Sequence, residues 1–182
     1  MKKVFLLLLL PAFIISCKSK APKTETTTET VVAAHPEWIM QGNIYEVNVR
    51  QYTPKGTFNA FAQHLDRLKN MGVQTLWFMP VNPISKVDRK GTLGSYYAVA
   101  DYTAINPEYG TMDDWKKLVT TIHEKGMKVL IDWVPNHTGA DHPWLTTHPD
   151  FFVKDSTGKA AIMSDWTDTR VLDFKTTRCR TV

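Results

Sequence analysis

The 182-residue sequence is poor in cysteine, with only Cys17 and Cys179. Two cysteines cannot build a disulfide framework, and no Cys/His spacing makes a zinc site. A basic run or stripe is also missing from the middle of the chain. The formal charge of +4 owes much to Lys2, Lys3, Lys18, Lys20 and Lys23 at the start and to Arg178 and Arg180 at the end. Nucleic-acid binding is therefore not indicated. The apolar run Val4 to Ile15, broken only by Pro11, falls short of the ~20 residues that a membrane-spanning helix needs. No internal repeat is visible. What remains is 43% hydrophobic and 22% charged, a composition that can bury an ordinary core in a chain whose length suggests one domain.

Lys2 and Lys3 followed by that apolar run read as a secretory signal peptide over residues 1–16. The run ends Ile14-Ile15-Ser16-Cys17, which resembles the lipobox of bacterial lipoproteins. The resemblance implies cleavage before Cys17 and acylation of its thiol and new amino group. Several acyl chains, at ~0.8 kcal/mol per buried methylene, would hold the protein on a membrane face. Lys18 to Ala34 is rich in Thr, Lys and Glu and has no apolar periodicity. Residues 17–37 are accordingly expected to be a lipidated cysteine and a flexible tether. An exported protein of the bacterial cell envelope follows.

From Trp38 the texture changes. Ile44 to Val49 alternates apolar and polar residues and predicts a strand. Phe58, Phe61, Leu65 and Leu68 recur at helical spacing, with Thr57 as N-cap and Gly72 as stop. Val73 to Met79 is a short apolar run closed by Pro80, as in a buried parallel strand. After a long loop, Val81 to Gly110, Thr111 or Asp113 can cap a helix carrying Trp115, Leu118, Val119 and Ile122. Met127 to Val134 predicts the third strand. Alternation of this kind implies a parallel sheet covered by helices, an α/β fold. Thr138 to Val182 shows no convincing further β-α unit.

In parallel β/α folds, function collects at the carboxyl ends of strands. Three places there carry polar residues. The third strand ends Asp132-Trp133-Val134-Pro135-Asn136-His137, and an aspartate in an apolar strand is costly to bury unless paired. In the long loop, Tyr96, Tyr97 and Tyr102 surround Asp101, aromatic faces and a carboxylate suited to sugar rings and hydroxyls. His142-Pro143-Trp144 is the third place. Taken singly, each reads equally as turn chemistry, capping or loop packing.

Their order and spacing resemble the α-amylase family, the α-glucan-active β/α barrels, from Trp38 to Phe174. Asp132 to His137 matches the family's Asp-x-x-x-Asn-His region, and Tyr97 to Tyr102 its Tyr-x-x-x-Asp-Tyr stretch. Gly72 to Pro80 looks like its second-strand signature, and Asp165-Trp166 through Phe174 like the end of its small inserted domain. The resemblance implies the N-terminal part of a TIM (β/α)8 barrel over residues 38–138, about three strands and two helices. Residues 139–174 would begin the small domain inserted after strand three.

By the same resemblance, Tyr97 stacks on the sugar on the non-reducing side of the cleaved bond and His137 hydrogen-bonds it, with Asp101 also on the substrate. Asp132 would orient an arginine that is not in this chain. Asn136 stands where many members ligate a structural Ca²⁺, although it supplies one oxygen of the six to eight required. No organic cofactor is implied. Trp133 and Tyr96 depart from the smaller residues that the family often has at those places.

Family members cleave or transfer α-glucosidic bonds with retention, using a nucleophile and an acid ~5–5.5 Å apart. The resemblance puts both beyond the last residue of this chain, so no catalytic carboxylate is assigned here. The expected activity is that of an α-glucan-active retaining glycoside hydrolase of starch or maltodextrin metabolism, truncated before its carboxylates. The 182 residues alone would then be inactive and fold poorly. The alternatives are a non-catalytic surface glycan-binding lipoprotein and an inactive gene remnant. The ending Lys175 to Val182 departs from the family, and one permitted codon set read one base out of frame restores an Asn-Pro stretch. Residues 175–182 are thus read as an aberrant tail from a frameshift.

Overall fold

The computed structural model describes residues 35–175. The signal peptide, Cys17, most of the tether and Thr176 to Val182 lie outside the described residues. In chain order the elements are α1 (Glu37–Met40), β1 (Ile44–Val47), α2 (Val49–Tyr52), α3 (Phe58–Ala62), α4 (Leu65–Asn70), β2 (Thr75–Phe78), α5 (Met112–Glu124), β3 (Lys128–Ile131), β4 (His137–Gly139), α6 (Trp144–Thr147), a 3-10 turn (Pro149–Phe151) and β5 (Thr169–Val171). β1, β2 and β3 form a parallel sheet in that order. β4 and β5 form a separate antiparallel pair.

The parallel sheet follows the expected alternation, with shorter elements. The first strand stops at Val47 rather than Val49, because the Asn48 side chain accepts the Gln51 N–H and caps α2. The expected helix over Phe58 to Leu68 is two helices, separated by a turn at Gln63-His64 in which His64 N–H bonds Phe61 O at 2.9 Å. The break leaves the apolar face intact: Phe58, Phe61, Leu65 and Leu68 are all fully buried. Thr57 caps α3 through the Ala60 N–H. Of the two candidate caps for α5, Thr111 is the one used. It accepts the Asp114 N–H at 3.1 Å while Asp114 accepts the Thr111 N–H at 2.9 Å, a reciprocal capping box.

Side chains alternate across a strand, and the two faces of the sheet differ sharply. Val47, Leu76 and Phe78 point at the helices and join one core with Phe58, Phe61, Trp115 and Ile122. Phe78 sits edge-on to Phe61 at 5.5 Å and to Trp115 at 5.1 Å. The other face presents Ile44, 62% exposed, and Leu130, 48% exposed, with Trp77 part-buried between them. Residues 137–174 bury much less: Phe151, Phe152 and Leu172 make a small cluster with Trp144, Leu145 and Ala160 against it. β4 begins at His137, so the expected boundary between residues 138 and 139 falls inside a strand.

β4 also anchors the long loop. Gly139 N–H bonds Val99 O, and Ala140 N–H bonds Ser85 Oγ at 3.2 Å. A Cβ at Gly139 would lie 2.8 Å from Ser85 Cβ and 2.9 Å from Val99 O. The backbones touch there, and only glycine fits.

Candidate functional site

The face of the sheet away from the helices leads to the site. Trp77 lies on that face of β2, and Asp132, just past the end of β3, continues the same alternation. Trp77 Nε1–H donates to Asp132 Oδ1 at 2.7 Å, and the Tyr97 hydroxyl donates to Oδ2 at 2.8 Å. Both oxygens of the aspartate are thereby engaged, which answers the cost of placing it at a strand end. Burial first, and then the hydrogen bond to Asp132, push the Tyr97 phenol up to about 12. It is a neutral donor throughout the physiological range, on a residue still 37% exposed.

His137, the first residue of β4, is almost fully buried. Its Nε2 lies 3.1 Å from Tyr97 O, a carbonyl that can only accept. Neutral His137 therefore carries its proton on Nε2 and has Nδ1 bare. Burial, opposed by the Tyr97 carbonyl and by the nearby charge of Asp168, pulls its pKa down from the usual histidine value. The single ring N–H is spent on the tyrosine backbone, so the two residues hold each other in place. Nδ1 of His137 and Oδ2 of Asp168 are both buried with no hydrogen-bond partner.

These groups line one cavity of about 510 Å³, whose walls include Tyr97, Asp132, Asn136, His137, Trp166 and Asp168, with Lys90 also on its lining. That volume lies within the ~300–1,000 Å³ of small-molecule sites. The structure brings together Tyr97, Asp132, Asn136 and His137 from the sequence-predicted set. Asp101 is elsewhere employed: its Oδ1 accepts the N–H and hydroxyl of Thr103, both at 2.7 Å, and it closes a turn without lining this cavity. His142 is buried with its Nδ1 accepting the Trp144 N–H, and packs between Tyr102 and Trp144. That third polar place therefore serves as packing and a turn.

Sequence reasoning did not single out Trp77, Lys90 or Asp168. Trp77 was hidden in an apolar strand run, where only its single polar atom hints at a partner. The cluster Asp165-Trp166 with Asp168 in a polar stretch was visible as part of a resemblance, and the signal was an aromatic with no apolar neighbours. Calcium needs six to eight oxygens. Besides Asn136, the lining carboxylates are those of Asp132 and Asp168, and among the described residues no cluster of three or more His, Cys, Asp or Glu could hold a metal. These residues do not by themselves make a calcium cage.

The family described as "Alpha amylase, catalytic domain" matches residues 22–171. The chain belongs to the α-amylase family. The match starts well before Trp38, inside the segment expected to be a tether. Among curated relatives of this α-amylase family member, the α-amylase SusG of Bacteroides thetaiotaomicron is 42% identical over 91 residues, covering 50% of this chain and 12% of the relative. Trehalose synthase of Pimelobacter sp. is 40% identical over 121 residues, covering 64% and 20%. The crystal structure of an α-amylase from Lactobacillus plantarum superposes with a TM-score of 0.73 at 46% identity, covering 75% of this chain and 33% of that one. A maltogenic α-amylase, AmyB of Thermotoga neapolitana, gives 0.72 at 38% identity, covering 76% and 33%. The chain thus spans a fifth or less of those curated relatives and a third of those structures. The described part of this α-amylase family chain is α/β, the N-terminal part of a TIM barrel.

Proposed function

We propose that this chain carries the sugar-holding side of an α-glucan-active retaining hydrolase of the α-amylase type. In this reading the 182 residues bind maltooligosaccharides and do not cleave them. The observation that carries it is the linked set Asp132–Tyr97–His137 on the wall of a 510 Å³ cavity, with Trp77 bonded to Asp132. Tyr97 keeps a ring face exposed to stack on the apolar face of a pyranose, while its hydroxyl is fixed by Asp132. His137 locks the backbone of Tyr97 and so sets the height of that ring. Each Asp132 oxygen has accepted one hydrogen bond and retains capacity for another, enough to orient an arginine supplied by sequence outside this chain. The paired carboxylates ~5–5.5 Å apart that a retaining mechanism requires are assigned to such sequence as well. Asp101 contributes through the turn that it closes.

The same proposal makes the protein an exported lipoprotein anchored through Cys17, with a membrane as its second partner and calcium at Asn136 only once further oxygens are supplied. Among the described residues no helix is long and apolar enough to cross a membrane. Titration of the purified chain with maltoheptaose and, separately, with cellohexaose tests the binding reading. Heat of binding is expected with the α-linked sugar alone, and Tyr97→Ala should abolish it. Equal binding of both sugars would overturn the reading, and release of reducing sugar from starch would overturn its non-cleaving part. Cys17→Ser should move the protein from the detergent phase to the aqueous phase in a partition assay.

A further inference from the structure

Tyr102 belongs to the polar stretch of the long loop, yet sugar binding at Tyr97 gives it no task. Its hydroxyl lies 2.8 Å from Val134 O and 2.7 Å from His137 O. These carbonyls stand at the two ends of Val134-Pro135-Asn136-His137, the turn that leads from β3 into β4. Val134 and His137 are both buried, and buried carbonyls call for a donor within the protein. Pro135, inside the turn, has no N–H to offer.

Tyr102 is itself held in place. Asn82 Nδ2 donates to Tyr102 O and to Ala104 O, both at 3.1 Å. Asp101 closes the turn beside it through Thr103. The Tyr102 ring packs on His142, with centroids 5.2 Å apart, and on Trp144, at 5.6 Å. A phenylalanine would keep those ring contacts. The hydroxyl is the part that reaches the turn.

His137 is thereby gripped twice by one loop. Tyr97 O accepts from the ring at Nε2, and the Tyr102 hydroxyl donates to the main-chain carbonyl. Tyr97 and Tyr102 lie in one short segment, so the two bonds and that segment make a closed circuit. Holding both the main chain and the ring leaves the two χ angles of His137 little freedom. A displacement at either end of the circuit is passed to the other.

We infer that Tyr102 is a positioning residue for the sugar site: its hydroxyl, by bridging Val134 O and His137 O, fixes His137 and through it the backbone of Tyr97. Tyr102 does not line the cavity that Tyr97 and His137 share, so its effect passes through His137. This inference rests on the sugar-binding reading above.

The test is Tyr102→Phe in the full chain at pH 8, read by calorimetric titration with maltoheptaose and by the nitrogen-15 resonances of the His137 ring. The unmodified chain should show one tautomer, with the proton on Nε2. Tyr102→Phe should weaken maltoheptaose about fivefold and mix the two tautomers, because the ring no longer meets Tyr97 O at a fixed distance. Thr111→Ala, which loses stability at the α5 cap, should change neither readout. Asn82→Ala frees the Tyr102 main chain but keeps the hydroxyl, and should move both readouts the same way by less. The tautomer is read on folded resonances, and Asn82→Ala carries the test should Tyr102→Phe not fold. Unchanged affinity and tautomer overturn the inference and leave the sugar-binding reading standing. A change in only one of the two readouts overturns the route through His137, and a like change in Thr111→Ala would reduce the effect to stability alone. Absence of maltoheptaose binding by the unmodified chain overturns the sugar-binding reading itself.

Discussion

The sheet region and residues 137–174 are built on opposite principles. Around β1, β2 and β3, stability comes from volume: a continuous core in which Phe58, Phe61, Phe78 and Trp115 contact one another. Residues 137–174 have four buried apolar residues, Ala140, Phe151, Phe152 and Leu172, and rely on hydrogen-bonded turns, a three-residue strand pair and charged clasps to the long loop. The site lies where the two meet. Asp132 belongs to the end of the packed sheet, His137 to the first residue of the sparse region, and Tyr97 to the loop that touches both. A rigid side orients the carboxylate, and a thinly packed side carries the wall that a ligand would touch.

The largest test of that contrast is a pair of truncations. Phe78→Ala should cost ~3–5 kcal/mol, because the surrounding aromatics cannot collapse into the space. Phe151→Ala should cost less than half as much, since part-exposed Trp144 and exposed His148 beside it can fold inward. Urea unfolding midpoints compare them, and equal losses would refute the contrast. Gly139→Ala is next. Its Cβ would press on Ser85 Cβ and Val99 O, so a loss of ~1–3 kcal/mol is expected, together with weaker maltooligosaccharide binding as the Tyr97 loop shifts. Thr111→Ala removes the α5 cap and should cost ~1 kcal/mol with binding unchanged. The smallest change is Asp165→Asn. Its pair with Lys90 is exposed, and the urea midpoint should hardly move.

A pH series separates the regions in another way. His137 and His142 both have folded pKa values lowered by burial. The unfolded chain therefore binds protons more readily, and the stability gained from keeping these rings neutral is complete above the unfolded value of ~6.5. It is lost as pH falls below that toward the folded values. Thermal unfolding between pH 8 and 5 should show a decline below about 6.5 that is reduced in His142→Gln. A flat profile would show that the two rings are not held neutral.

How legible this was in the sequence varied with the kind of force involved. β2, β3 and α5 announce themselves through apolar runs and a capping threonine, because local propensity and tertiary burial agree there. The break between α3 and α4 is silent, because Phe58, Phe61, Leu65 and Leu68 face the core with or without a turn at His64. β4 and β5 are silent for a different reason. Three residues buried on both faces, as His137, Thr138 and Gly139 are, leave no alternation to read. At the site, the motif singled out Tyr97, Asp132 and His137, which line one cavity, and Asp101, whose carboxylate closes a turn outside that lining. A carboxylate two residues before a threonine is well suited to closing a turn, and the motif carries no sign of that local bond. Trp77 was not found at all, since nothing in a buried strand distinguishes an indole that packs from one that also donates.

The bonds that converge on Asp132 and Tyr97 join residues far apart along the chain: 35 positions for Tyr97–Asp132, 40 for His137–Tyr97 and 55 for Trp77–Asp132. Contacts of such span each close a long loop, whose chain entropy is lost before the bond repays it. The closed loop between Trp77 and Asp132 contains the whole of α5. Because β2 and β3 carry Trp77 and Asp132 to adjacent positions, we predict that the polar knot closes once β2, α5 and β3 have docked. A fluorescence change reporting on Trp77 would follow the final step of assembly, lagging behind the collapse of the aromatic core.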